Sequence, residues 1–151
     1  MSTSWVAPEP MLGPAPGVEF AGPGARLVAY IVDTFIQTGA TLALVLAGVA
    51  FAVSVPLLVV VCILGWLVMI VGYFPYFWST SGQTPGMKML HIKVVRDLDG
   101  GPVSIGQAIL RLIGYWVSSA VFYLGFIWIF VDRRRRGWMD LIAGTVVISA
   151  P

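Results

Sequence analysis

Charge is scarce in this chain. Of 151 residues, 11% are charged and 58% are apolar, with a mean hydropathy of +0.90. Soluble domains carry about 25% charged and about 45–50% apolar residues. The composition therefore excludes an ordinary soluble domain and a chain that is disordered throughout. Cysteine is limited to Cys62, inside an apolar run, which excludes an intrachain disulfide and a thiolate metal cluster. Histidine is limited to His91, and one imidazole with no cysteine or acidic cluster beside it builds no metal site. No Ser–His–Asp or paired-acid set offers hydrolytic chemistry, so no enzymatic function and no cofactor are expected. Basic residues are missing before Arg26 and again between Arg26 and Lys88.

Long apolar runs are what the chain does have. A membrane-spanning helix needs about 20 apolar residues. One run extends from about residue 26 to 54, and a second from Pro56, a residue suited to a first helical turn, to Trp78. The connection is so short that the two helices form a tight antiparallel hairpin. Tyr73, Phe74, Tyr76, Phe77 and Trp78 gather at its end, as aromatic residues do at the membrane–water boundary. Residues 1–24 hold five of the ten prolines and four glycines. They lack the ordered basic, apolar and small-residue regions of a secretory signal and read as a disordered cytoplasmic tail. Residues 25–150 form the membrane domain.

After the polar stretch Ser79–Gly86, Met87–Val95 alternates as a short strand does and ends at the turn-forming Asp97–Pro102. Ser104 is placed to cap a helix with Ile105, Ala108, Ile109, Leu112 and Ile113 at helical spacing. The third apolar run is 112–131. Gly144–Ser149, rich in β-branched residues, reads as a second strand. The fold class is an all-α membrane protein with a two-helix hairpin, a third apolar helix or re-entrant hairpin, and short cytoplasmic strands.

The nine basic residues all flank spans, which favours a cytoplasmic N-terminus in a multi-pass plasma-membrane protein. The third run leaves two readings open. A single crossing would carry Arg133, Arg134, Arg135 and Arg136 outside; a re-entrant hairpin, bent near Ser118 and Ser119, would return them. Pairing of Leu90–Val95 with Thr145–Ser149 requires the hairpin. The four arginines would meet anionic lipid headgroups at about 1 kcal/mol per charge. Nucleic acid is a poor partner, since no folded basic face accompanies the run.

The first span carries a polar stripe. Arg26, Tyr30, Asp33, Gln37 and Thr41 recur at spacings of four, three, four and four, which places them on one helix face. Asp33 lies about two turns inside the span, where a carboxylate costs several kcal/mol unless protonated, paired or hydrated. Two readings stand: a structural lock with Arg26 or another arginine, or a titrating carboxylate on a permeation route. Asp140 follows the arginine run and is either a partner of Arg26 or a simple surface charge. Thr84-Pro85-Gly86-x-Lys88 lacks the spacing of a phosphate loop and reads as a turn. Gly39, Ala40, Ala43, Ala47 and Gly48 permit close helix contact.

The set Arg26, Asp33 and Asp140 resembles the RDD family of small membrane proteins, named for one arginine and two aspartates. The matching stretches are ARLVAYIVD (Ala25–Asp33), TPGMKMLHIKVV (Thr84–Val95), the DGG-x-x-S turn (Asp99–Ser104) with Ala108 and Arg111, and MDLIAGTVVI (Met139–Ile148). The resemblance spans about Phe20 to Ser149. Pro23-Gly24-Ala25 departs from it, standing where members often carry aromatic and basic residues. The resemblance implies transport of a ligand not assigned for most members, with sodium–proton exchange attributed to some. Asp33 is then the coupling carboxylate, Arg26 its tuning partner and Asp140 a cytoplasmic-side partner. The few spans call for a homo-oligomer around any transport path. The rival is a non-transporting scaffold or accessory subunit in which the same three residues are a lock.

Overall fold

The computed structural model describes residues 18–52 and 55–150. Helix α1 is Pro23–Phe51 and α2 is Pro56–Thr80, each opened by a proline in its first turn. Both are long and apolar enough to cross a membrane. They form the expected hairpin, with Val55 N–H donating to Phe51 O at 2.8 Å across the connection. The residues of α1 that face protein are Arg26, Ala29, Asp33 and Gly48, while Leu27, Phe35, Leu42 and Leu46 are exposed. An apolar exterior of this kind suits hydrocarbon.

Beyond α2 the structure corrects one expectation. The stretch opening at Met87 is not yet a strand: Pro85–Met89 is a single helical turn, α3, capped by Thr84, whose hydroxyl accepts from Met87 N–H at 3.2 Å. The chain then turns through His91 at φ 51°, and strand β1 begins only at Ile92 and ends at Arg96. Of the expected disordered tail 1–24, residues 1–17 lie outside the described residues. Residues 18–24, by contrast, are built into the fold. Phe20 and Ala21 are buried, and Glu19 O and Ala21 N–H bond to the edge of the second strand.

The third apolar run is bent. Helix α4, Ile105–Ala120, starts on a complete capping box of Ser104 and Gln107. It stops at Val121–Tyr123, where Phe122 and Tyr123 adopt φ 50° and 59°. Helix α5, Leu124–Ile127, and a 3₁₀ turn, Trp128–Phe130, then run at 110° to α4. The break falls two residues beyond the expected Ser118–Ser119. Ser118 instead packs against Gly125, leaving no room there for a side chain. Helix α6, Trp138–Ala143, and strand β2, Thr145–Ser149, close the domain.

Strand β2 pairs antiparallel with β1, from Ile92 opposite Ser149 to Arg96 opposite Thr145. Gln107, in the first turn of α4, donates to Ala143 O at the end of α6. Both ends of the bent segment therefore lie together, and the chain returns rather than running straight through. The core sits at this end, around Trp78, Met87, Val94, Ala108, Leu112 and Val147.

Candidate functional site

Asp140 occupies the centre of that core. It is fully buried at the third position of α6. Its Oδ2 accepts from Gly137 N–H at 3.0 Å and from Arg26 Nη1 at 2.8 Å; its Oδ1 accepts from Arg111 Nη1. Arg26 also donates to Val147 O at 3.2 Å, and Arg111 to Thr145 Oγ1 at 2.8 Å. One carboxylate thus ties α1, α4, α6 and β2. Desolvation pushes the Asp140 carboxyl up, but the charges of Arg111 and Arg26, with the Gly137 amide, hold it below its ordinary value of 3.8. The Arg111 guanidinium lies over Trp78, 4.9 Å from the ring centroid, and Trp78 stacks on Tyr115 and Phe74.

Asp33 sits apart from this ion cluster in its bonding. It is almost wholly buried, yet no arginine pairs with it among the described residues. The expected pairing of Asp33 with Arg26 is not made, because Arg26 is committed to Asp140. Asp33 Oδ1 accepts from Gly86 N–H at 2.9 Å and from Tyr73 Oη at 3.0 Å; Oδ2 accepts from Thr84 Oγ1 at 2.5 Å. The α3 turn is therefore docked onto α1 by a carboxylate. Gly86 is required for this approach: a Cβ there would collide with Ala29 O and lie 3.0 Å from Asp33 Cγ.

Arg26, Asp33, Asp140 and Arg111 all line one cavity of about 210 Å³, walled otherwise by Tyr30, Phe74, Tyr115, Phe126 and Ile127. Of the polar stripe, Tyr30 stacks with Phe74 and Tyr115 on that wall. Gln37 lies one turn deeper, its Nε2 buried without a partner among the described residues. Thr41 lies away from the site, in an apolar groove with Gly48, Cys62 and Trp66. Residues 20–144 match the family model described as the RDD family.

The chain belongs to the RDD family. Among curated relatives, an 83-residue segment is 37% identical to the uncharacterized protein YxaI of Bacillus subtilis, covering 54% of each chain. An 84-residue segment is 27% identical to a proline-rich antigen homolog of Mycobacterium tuberculosis, covering 56% of this chain and 35% of the relative. An uncharacterized protein of Haemophilus influenzae is 31% identical over 87 residues, 55% of each. The aligned region thus spans about half or less of these relatives' length. No solved structure matches.

In this RDD protein, Arg111 belongs to the ion cluster as fully as Arg26 and Asp140. Its signal was present: Ala108, Arg111, Tyr115 and Ser118 share the inward face of α4, so the guanidinium falls on a core stripe. Thr84, Gly86 and Tyr73 were read only as turn and boundary residues. The arginine run does not line the cavity. Arg134 and Arg136 bond to Asp97, at 3.0 and 3.2 Å, and Arg136 also to Asp132 at 3.1 Å. Arg135 reaches Phe20 O at 3.4 Å. The run therefore does not present four unengaged cations: Arg133 and Arg135 are exposed, whereas Arg134 and Arg136 are held by carboxylates.

Proposed function

We propose that this RDD membrane protein moves an ion or small solute, sodium or protons being the first candidates, through the cavity that holds Arg26, Asp33 and Asp140. The observation that carries this reading is the convergence of two carboxylates and two guanidiniums on one cavity beside lipid-exposed helices. Asp33 is the working carboxylate. Its partners are a tyrosine, a threonine and one backbone amide, which a proton or cation can displace without stranding a buried charge. Asp140 is the cytoplasmic-side partner of Arg26, and its two guanidiniums fix the frame.

The protein resides in the plasma membrane with its N-terminus cytoplasmic. The return of α4 through α5 gathers Arg26, Arg96, Arg111 and Arg134 at one end of the hairpin, where Arg26 meets Asp140 and Arg134 meets Asp97, in keeping with the positive-inside bias. Arg133 and Arg135 face anionic headgroups there. Two full spans enclose little space, so a homo-oligomer surrounds the path.

The test is flux in proteoliposomes under a sodium, potassium or proton gradient, with internal pH followed. Flux that Asp33→Asn loses supports the reading. Folded protein with no flux above empty liposomes overturns cation movement. It favours the second reading, a scaffold or accessory subunit, whose motivating observation is that Asp140 joins α1, α4 and α6 in one buried cluster.

A further inference from the structure

The polar groups on the cavity wall are unevenly satisfied. The carboxylates have all four oxygens engaged: Asp33 by Tyr73, Thr84 and Gly86, Asp140 by Arg26, Arg111 and Gly137. The guanidiniums do not. Arg26 and Arg111 share one carboxylate, both are at least nine-tenths buried, and Nε of each has no hydrogen-bond partner among the described residues. A buried donor without an acceptor is destabilising, the more so on a charged group. Two guanidiniums that share one carboxylate leave a net positive charge, which suits an oxyanion.

The rest of the wall is apolar. Leu27, Phe126, Ile127 and Phe130 join the aromatic residues Phe74 and Tyr115. Leu27, Ile127 and Phe130 are also exposed, at 60%, 54% and 75%. The cavity is therefore lined both by the two cations and by side chains that reach the exposed apolar exterior. A molecule with an anionic head and a hydrocarbon tail would find complementary chemistry at both ends, its tail remaining in the bilayer.

We infer that the cavity binds a single-chain amphiphile with an anionic oxygen head, a long-chain carboxylate or alkyl phosphate, whose head meets Arg26 and Arg111 and whose chain leaves between Leu27 and Ile127. This names a solute for the transport reading in place of sodium or protons, and rests on the same cavity. Binding at equilibrium is nevertheless separable from movement.

The experiment uses the full chain in nanodiscs of zwitterionic lipid with radiolabelled dodecanoate. A saturable component is expected, competed by unlabelled dodecanoate and not by dodecyltrimethylammonium. Competition by dodecyl phosphate, if stronger, identifies a phosphate head; if weaker, a carboxylate. Arg111→Gln removes head recognition and Leu27→Trp obstructs the chain's exit. Each is expected to weaken binding at least tenfold. Leu27 takes no part in the ion cluster and sits on an exposed face, so Leu27→Trp carries the test should Arg111→Gln fail to fold. No saturable component, equal competition by the cationic amphiphile, or unchanged binding by folded Leu27→Trp would overturn the inference. Cation flux without dodecanoate binding would overturn it while leaving transport standing; binding without flux would do the reverse.

Discussion

Asp140 and Asp33 are both buried carboxylates, and their surroundings give them different work. Asp140 pairs with two guanidiniums, both at least nine-tenths buried. Replacing it with asparagine would leave both cations uncompensated, and breaking such a pair costs about 3–5 kcal/mol. Asp140→Asn is therefore expected to lower the thermal midpoint in detergent sharply, or to abolish folded yield. Asp33→Asn is near-isosteric, and an amide can still accept from Gly86 and donate to Thr84. Its expected cost is about 1 kcal/mol, readable as a small shift in the same melt. Gly86→Ala should cost more than Asp33→Asn, about 1–3 kcal/mol, because the added methyl collides with Ala29 O and pushes α3 off α1. A melt of Gly86→Ala indistinguishable from wild type would mean that α3 is not docked there.

Acid stability at this scale follows from Asp140. Its carboxyl is held below 3.8 in the folded protein. The stabilisation is thus fully present above the unfolded value of about 3.9 and is lost as pH falls through the lower native one. Melting temperature should accordingly stay level from neutral pH to about pH 4 and drop below that. A fall already under way near pH 6 would contradict the ionised cluster.

At the scale of elements, the helices with long-range periodicity were the legible ones. The hairpin followed from run lengths and Pro56, the start of α4 from Ser104 and the strand pair from alternation and β-branching. The α3 turn was not legible, because five residues are too few for a 3.6-residue period to register. The bend after α4 was anticipated as one of two alternatives but misplaced. It is made by Phe122 and Tyr123 at positive φ, and neither residue type advertises that conformation. Removing the cap by Ser104→Ala should cost about 1 kcal/mol, seen as a lower melting midpoint with unchanged topology.

At the scale of the whole molecule, the candidate site was half legible. Arg26, Asp33 and Asp140 were identifiable, and the Arg26–Asp140 pair was one of two readings, but the share of Arg111 in it was not. Asp140 lies 114 residues from Arg26 and 29 from Arg111 in sequence, and nothing local marks such contacts. Arg111 read as a topology signal because it stands near the start of an apolar run. Folded, it closes the cluster, and this depends on the chain returning through α5. Single cysteines at Leu98 and Arg133, in a Cys62→Ala background, should be labelled by an impermeant reagent from the same side of the membrane. Labelling from opposite sides would contradict the return.

The central claim is that one cavity separates a structural carboxylate from a working one. The most direct measurement is thermal stability and gradient-driven flux on the same proteoliposome preparations of wild type, Asp33→Asn and Asp140→Asn. Asp33→Asn is expected to melt close to wild type and to carry no flux, whereas Asp140→Asn is expected to lose its fold. Asp33→Asn with full flux, or Asp140→Asn as stable as wild type, would contradict that claim.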